Sequence, residues 1–360
     1  MKSLRDAGSA APRPAASSRM RRPSVHAARA FLDASLDDAS TKLRDAARAF
    51  DLPVREGRHG VVVTLPTGTL RMSGAEPRTA VDIEAERASD LQFLRDLVAE
   101  WVAEIGMRLH WQAGAAGRRP DNLSLARIDG IERISPSYAR VALTGPDLAR
   151  LARGGLHFRL LFGPEGAGWP VTDEGGVTHW PGGVDAWHRP VYTTRTIEAL
   201  SGGAARITFD VFLHAGGRVA EWTTRAQVGD EVGLTGPGGG ERPFARWLGL
   251  VGDETAVPVI ARILAETPPD AAGEAVLFVP QATDIQDLAR PDGLAVRWVV
   301  RGDATETPLE ALHALRPPES GRFVFFAAER REAFAARDWL QAQAFGRGAS
   351  LCASYWTAEP

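Results

Sequence analysis

The chain has 360 residues, more than one typical domain, so two or three domains are expected. Its 42 basic and 45 acidic residues leave a formal net charge of −3, which gives no electrostatic reason for a nucleic-acid or anionic-membrane partner. A single cysteine, Cys352, excludes an intrachain disulfide, a Cys-ligated zinc site and a four-cysteine iron–sulfur cluster, so redox chemistry would need an organic cofactor or a substrate metal.

Residues 1–24 are rich in Ala, Arg, Ser and Pro and lack the apolar core of a secretory signal. They read as a disordered arm of a cytoplasmic protein; a targeting peptide and a start at Met20 are the alternatives. No run of about 18 apolar residues occurs, so no membrane span is expected.

In residues 25–114, Leu43, Ala46, Ala47 and Phe50 recur at helical spacing, as do Leu91, Leu94, Val98, Trp101 and Ile105. Strands are expected at 61–65, 69–72 and 81–85, with a closing strand around Leu109 and Trp111. This predicts a small α+β domain, followed by a linker over 113–120 (AGAAGRRP).

Residues 115–242 carry short β-rich runs between Gly/Pro turns: 131–134, 139–143, 157–162, 207–214 and 231–234. That texture predicts an antiparallel barrel or sandwich. The Gly/Pro-rich insertion 163–189 holds Trp169, Trp180 and Trp187 and reads as a surface loop covering something apolar.

Residues 243–360 alternate strands (247–251, 275–279, 295–300, 323–326, 349–352) with helices (256–266, 283–289, 308–315, 331–344). Nearly continuous apolar strands between helices predict a doubly wound parallel sheet, with ligands beyond the carboxyl ends of its strands. The turns after Val251 and Phe326 are therefore the expected site.

Three segments carry candidate chemistry. In HRPVYTTR (188–195), Tyr192 can stack on a flat ring, the Thr193 hydroxyl can reach a ring nitrogen, and Arg195 can clamp a pyrophosphate; a half-buried strand with an exposed arginine is the competing reading. In FLHAGGRVAEW (212–222), a strand ends at His214, a glycine turn follows, and a short helix begins near Val219 with its N–H groups suited to phosphate; a plain hairpin is the competing reading. GPGGG at 236–240 is either a tight barrel exit beside a cofactor or an interdomain hinge. In LGLVGDETAVPVIARIL (248–264), a buried strand meets Gly252 and then a helix with Pro258 in its first turns. A dinucleotide fits there, although GxGxxG is absent and Asp253 or Thr255 can equally serve as an N-cap.

Together these segments, with IERISPSYARVALTGPDLARL (131–151), HFRLLF (157–162), VGDEVGLTGPGG (228–239), FFAAERREAFAARDWL (325–340) and SYW (354–356), make residues 123–360 resemble the siderophore-interacting proteins, FAD-dependent ferric-siderophore reductases of the ferredoxin-reductase superfamily. The resemblance implies a multi-domain α+β and α/β chain: a small α+β domain (25–114) like an uncharacterised domain found fused to such proteins, an antiparallel Greek-key β-barrel binding FAD (115–242), and a Rossmann-like parallel α/β domain (243–360). It places Tyr192 and Thr193 against the flavin ring and Arg195 on its pyrophosphate. His214 falls near the adenine side, with Gly217, Val219, Ala220 and Trp222 in the phosphate loop. Gly252, Asp253, Glu254, Thr255 and Pro258 become the nicotinamide-nucleotide loop, with Ala328 and Glu329 on the neighbouring strand end. Tyr355 and Trp356 match the family's C-terminal aromatic segment, for which ordinary interdomain packing is the competing reading.

The chain departs from the family pattern at Pro190, where an Arg is usual, at Ala220, where a Ser is usual, at Ala328, where a Gly is usual, and at Ser354 and Thr357 around the terminal aromatic pair. The implied activity is one-electron reduction of a ferric siderophore by FAD, loaded by NAD(P)H or ferredoxin, with no residue acting as acid or base and no resident metal. An anionic chelate would favour arginines such as Arg330, Arg331 or Arg337. A degenerate flavodomain that binds a siderophore or partner without turnover, and a flavin oxidoreductase with another acceptor, are the alternatives.

Overall fold

The computed structural model describes residues 25–358 except 50–51, 58–59, 76, 303–304 and 347. The arm expected over 1–24 lies outside the described residues.

The first domain is β1 (His26–Leu32), α1 (Leu36–Ala49), β2 (Val54–Gly57), β3 (Gly60–Leu65), β4 (Gly68–Ala75), β5 (Arg78–Ala85), α2 (Ala88–Glu104) and β6 (Leu109–Trp111). Its six strands form one antiparallel sheet in the order β2-β3-β4-β5-β1-β6. Alternation does the work: Val61, Val63, Leu70, Met72, Val81 and Ile83 turn inward, and the helices cover them with Ala39, Leu43 and Ala47, and with Leu94, Val98 and Val102. Asp37 and Asp38 in the first turn of α1 and Arg48 in its last complement the helix dipole. Strands β1 and β2 were not expected. HAARAFL is alanine-rich and VREG is exposed throughout, so neither shows a β alternation of large apolar residues.

The second domain comprises β7 (Leu123–Ser135), β8 (Tyr138–Gly145), β9 (His157–Leu161), β10 (Val171–Thr172), β11 (Thr178–His179), β12 (Val191–Thr193), β13 (Thr196–Ala199), β14 (Ala205–Phe212), α3 (Arg218–Arg225) and β15 (Glu231–Gly238). Seven strands pair antiparallel in the order β12-β9-β15-β7-β8-β14-β13. The two outermost strands are consecutive in the chain, and the Arg195 N–H, just after β12, donates to Thr208 O of β14 at 2.7 Å, so the sheet curls shut into a barrel. Phe158, Leu160, Val141, Leu143, Ile207, Phe209 and Leu234 fill it.

The insertion 163–189 is a folded cover rather than a free surface loop. Trp187 is buried on Leu123 and Leu161, and Trp169 and Trp180 pack against it, their rings 6.1 and 5.4 Å from the Trp187 ring. The hairpin β10–β11 also docks the first domain: Gln92 Nε2 donates to Gly176 O at 3.0 Å, and Thr178 gives Asp96 its N–H (2.8 Å) and its hydroxyl (2.7 Å). The expected linker 113–120 is likewise tied down, since Gly114 N donates to Glu174 O (2.8 Å) and Gly117 N to Thr172 O (2.7 Å).

The third domain runs β16 (Trp247–Gly252), α4 (Val257–Glu266), β17 (Ala272–Val279), β18 (Leu294–Val300), α5 (Pro308–Ala314), β19 (Arg322–Glu329), α6 (Arg330–Ala342) and β20 (Ser350–Trp356). All five strands are parallel, in the order β18-β17-β16-β19-β20. Helix α4 covers one face, and α5 and α6 cover the other. VPVIARIL of α4 is buried all round, and apolar except at Arg262, because it lies between this sheet and Tyr138 and Leu156 of the barrel. No α-helix forms over 283–289; only a short 3₁₀ turn spans Ala282–Asp284. The buried Asp284 carboxylate instead accepts from Ser135 Oγ (2.6 Å) and Ser137 N (3.0 Å), joining this loop to the barrel.

Candidate functional site

Two groups of residues meet along the seam between the barrel and the parallel sheet. On the barrel side, Tyr192 of β12 is half-buried with its ring 5.2 Å from that of Phe209, and burial pushes its phenol upward, keeping it protonated. Its neighbour Thr193 is buried, and its hydroxyl lies 3.1 Å from His157 Nδ1. Arg195 follows, with its guanidinium 3.6 Å from Asp210. Asp210 is already held by Arg140 in a bidentate pair (2.6 and 2.8 Å), and Arg195 Nε is buried without a hydrogen-bond partner.

The glycine turn delivers the short helix as expected, with Gly217 at its N-cap and Arg218 as its first residue. A Cβ on Gly217 would stand 2.7 Å from the His214 ring, which lies over the turn and stacks on Phe212 at 6.1 Å. The first-turn N–H groups of Arg218, Val219 and Ala220 have no acceptor within the helix. Val219 is buried in the barrel core, and Trp222 packs edge-on to Phe162 at 5.6 Å.

On the sheet side, the turn after β16 is satisfied from within. Asp253 is fully buried; its Oδ1 accepts from Thr255 N (2.9 Å) and Thr255 Oγ1 (2.5 Å), and its Oδ2 accepts from Trp356 Nε1 (2.7 Å). Burial raises its pKa, and these donors oppose the rise. Neither Asp253 nor Thr255 is the N-cap of α4: that residue is Ala256, and the Asp253 side chain forms a turn of its own. Glu254 accepts from the Tyr138 hydroxyl through its carbonyl (2.7 Å) and pairs with Arg301 through its carboxylate (2.8 Å). A Cβ on Gly252 would come within 2.5 Å of Ala256 Cβ, so this glycine serves the packing of strand on helix. Pro258 and Ala328 are buried, and Glu329 caps α6 by accepting from Arg331 N at 2.6 Å. The expected pieces thus fall into two clusters, around Thr193–Arg195 and around Asp253–Trp356.

One residue bridges them. His157, the first of β9, reaches Thr193 with Nδ1 and the Tyr355 hydroxyl of β20 with Nε2 (3.2 Å). It lies within the quoted HFRLLF segment, but its two partners come from strands 36 and 198 residues away, a juxtaposition no local pattern encodes. Arg262 was also missed. It sits in the apolar α4 and donates to Leu156 O of the barrel at 2.9 Å, holding β9 against the sheet. Of the arginines considered for an anionic substrate, Arg330 and Arg337 lie over the Phe334 ring at 5.3 and 5.5 Å, and Arg331 is exposed at the start of α6.

Two family profiles match this chain. The siderophore-interacting FAD-binding domain covers residues 127–241, the barrel, and the siderophore-interacting protein domain covers 245–359, the parallel sheet. The ferric vibriobactin reductase ViuB of Vibrio cholerae is 30% identical over 220 residues, 58% of this chain and 79% of that protein. The chain belongs to the siderophore-interacting protein family. The NADPH-dependent ferric-chelate reductase of Escherichia coli is 28% identical over 244 residues, 64% of this chain and 91% of that protein. Among solved structures, a siderophore utilization protein from T. fusca superposes with a TM-score of 0.58 at 28% identity, covering 68% of this chain and 97% of that one. The siderophore-interacting protein SipS from Aeromonas hydrophila gives 0.54 at 25%, covering 66% and 99%.

The barrel of this family member fits FAD. Arg195 Nε is a buried donor that faces Asp210 only at 3.6 Å and makes no hydrogen bond, and a pyrophosphate supplies an acceptor. The missing Ser hydroxyl at 220 leaves the backbone donors of the helix start in place. No helix among the described residues is long and apolar enough to cross a membrane.

Proposed function

We propose that the chain is an FAD-dependent reductase of ferric siderophores, taking electrons from NAD(P)H or ferredoxin. The observation that carries this reading is the buried Arg195 Nε, near Asp210 but without a hydrogen bond, beside the Tyr192–Thr193 strand of a barrel matched by a siderophore-interacting FAD-binding profile. In this reading Arg195 clamps the pyrophosphate, the N–H groups of Arg218–Ala220 complete the anion cradle, and the Tyr192 ring backs the isoalloxazine. FAD, when bound, takes up two electrons as a hydride and passes them on one at a time. With NAD(P)H as donor, one hydride reduces two ferric ions to ferrous and releases one proton. Hard oxygen chelators hold the ferrous product much less well, so reduction frees the iron. In this reading the turn Gly252–Thr255 receives the nicotinamide nucleotide. Because Asp253 is committed to Thr255 and Trp356, its role there is to hold the turn and the last strand together.

A cleft of about 730 Å³ opens beside β12, between α2 of the first domain and the barrel. Phe93 and Leu97 form one wall, and Arg159, Arg189 and Trp180 form another. Arg159 Nη1 donates to Arg189 O at 3.0 Å, and the Arg189 guanidinium lies 5.0 Å from the Trp180 ring centroid. Burial, and then Arg189, lower the Arg159 pKa, and Glu100 on the opposite wall opposes the shift. Asp90, Asp96 and Glu100 line the α2 side, so in this reading an anionic chelate docks against the Arg159–Arg189 wall, beside β12 and the flavin.

The test is a visible spectrum of the purified protein after FAD loading and desalting. A retained flavin band at ~450 nm supports the reading. A colourless protein that still binds a ferric siderophore favours non-catalytic binding.

A further inference from the structure

His157 is held on every side. Its Nδ1 lies 3.1 Å from Thr193 Oγ1 and its Nε2 3.2 Å from the Tyr355 hydroxyl, and the Tyr355 ring meets it edge-on at 5.9 Å. The bend after β15 is glycine where it crosses the imidazole: a Cβ on Gly239 would sit 2.1 Å from the ring, and Gly239 has a φ of +78° that other residues rarely adopt. Burial, with Arg262 nearby, pushes the imidazole down to about 4, so it is neutral at ordinary pH.

A neutral imidazole bonded at both nitrogens must donate with one and accept with the other. If Nε2 accepts from Tyr355, Nδ1–H donates to Thr193 and leaves the threonine hydroxyl proton free to point onward. If Nε2–H donates to Tyr355, Nδ1 takes the threonine proton and Thr193 can only accept. The two tautomers therefore present Thr193 either as a donor or as an acceptor. The isoalloxazine ring nitrogen assigned to Thr193 is an acceptor when bare and a donor when protonated, so each tautomer suits one of these forms.

We propose that His157 is a positioning residue whose tautomer sets the direction of the Thr193 hydroxyl toward the flavin, and that Tyr355 on the C-terminal strand biases that choice. The proposal rests on the flavin reading of the barrel. It makes the last strand of the parallel sheet part of the flavin site through two hydrogen bonds.

The test is a double-mutant cycle on the full chain, reading the FAD dissociation constant, with the ¹⁵N shifts of the His157 ring measured in the FAD-free protein. Tyr355→Phe keeps the ring packing and deletes only the hydroxyl, so it should shift the tautomer balance before any FAD is added. It should weaken FAD binding by roughly fivefold, the scale of one hydrogen bond. In a Thr193→Val background the same change should have less than a twofold effect, because the hydroxyl it orients is gone. His157→Gln, whose amide can restore one bond but not both, should fall between wild type and Thr193→Val. An equal loss in both backgrounds would mean that Tyr355 acts directly or by general packing, which overturns the proposal. Unchanged ring shifts in Tyr355→Phe overturn it as well, whether or not FAD binds. Wild-type protein that takes up no FAD overturns the flavin reading and the proposal together, whereas the outcomes above leave that reading standing.

Discussion

Trp356 Nε1 donates to Asp253 Oδ2 at 2.7 Å, fastening the end of β20 to the turn after β16, 103 residues earlier. The carboxylate is fully buried and its other oxygen is taken by Thr255. Trp356→Phe would leave Oδ2 without this donor, at a cost of about 1–3 kcal/mol. The expected outcome is a lower unfolding midpoint in urea for Trp356→Phe, with the Tyr138–Glu254 contact keeping the domains associated. A midpoint unchanged from wild type would mean that water replaces the indole freely.

Arg195→Ala separates folding from cofactor binding. Asp210 keeps its bidentate partner Arg140, so the barrel should still fold. The pyrophosphate would lose a charged donor worth about 1.5–3 kcal/mol, which is roughly a tenfold or greater weakening of FAD. Fluorescence titration against FAD, with circular dichroism as the folding control, measures both.

Much of this was legible in the sequence. Every strand of the parallel sheet is expected because its residues are nearly continuously apolar, broken only by single polar residues such as Arg297 in β18, and the helices α4, α5 and α6 carry clean spacing. Strand β1 escaped because its core positions are Ala28, Ala30 and Leu32, too small for a β signature. The helix expected over 283–289 failed because Asp284 is used across the domain boundary, which propensity does not register. At the site, the segments around Tyr192, Gly217 and Gly252 stood out by local chemistry. His157 did not, since it owes its place to β12 and β20 folding onto it.

The pH dependence of stability should carry the mark of that burial. In the unfolded chain the His157 imidazole titrates near its ordinary ~6.5, and in the fold at about 4. The unfolded state therefore binds the proton first as pH falls. The associated stability is fully present above ~6.5 and is lost progressively toward pH 4, up to about 3 kcal/mol. His157→Gln should be less stable than wild type at pH 7.5, and the gap should narrow as pH drops through that window. Parallel stability curves for the two proteins would contradict this.

Arg189→Ala tests the cleft beside β12. It removes a guanidinium that rests on Trp180 and makes no ion pair with a carboxylate among the described residues. We expect about a tenfold rise in KM for an anionic ferric chelate, the scale of one charge-assisted contact. FAD retention and reduction of a neutral dye should be unchanged. Equal losses for chelate and dye would place the effect on the flavin rather than on docking.

The central claim is tested most directly by following flavin absorbance anaerobically in the FAD-loaded protein. The account predicts that NAD(P)H or reduced ferredoxin bleaches the ~450 nm band, and that adding a ferric siderophore restores it with two ferrous ions trapped per flavin. A band that bleaches and stays bleached in the presence of ferric siderophore, with no ferrous iron trapped, would contradict it.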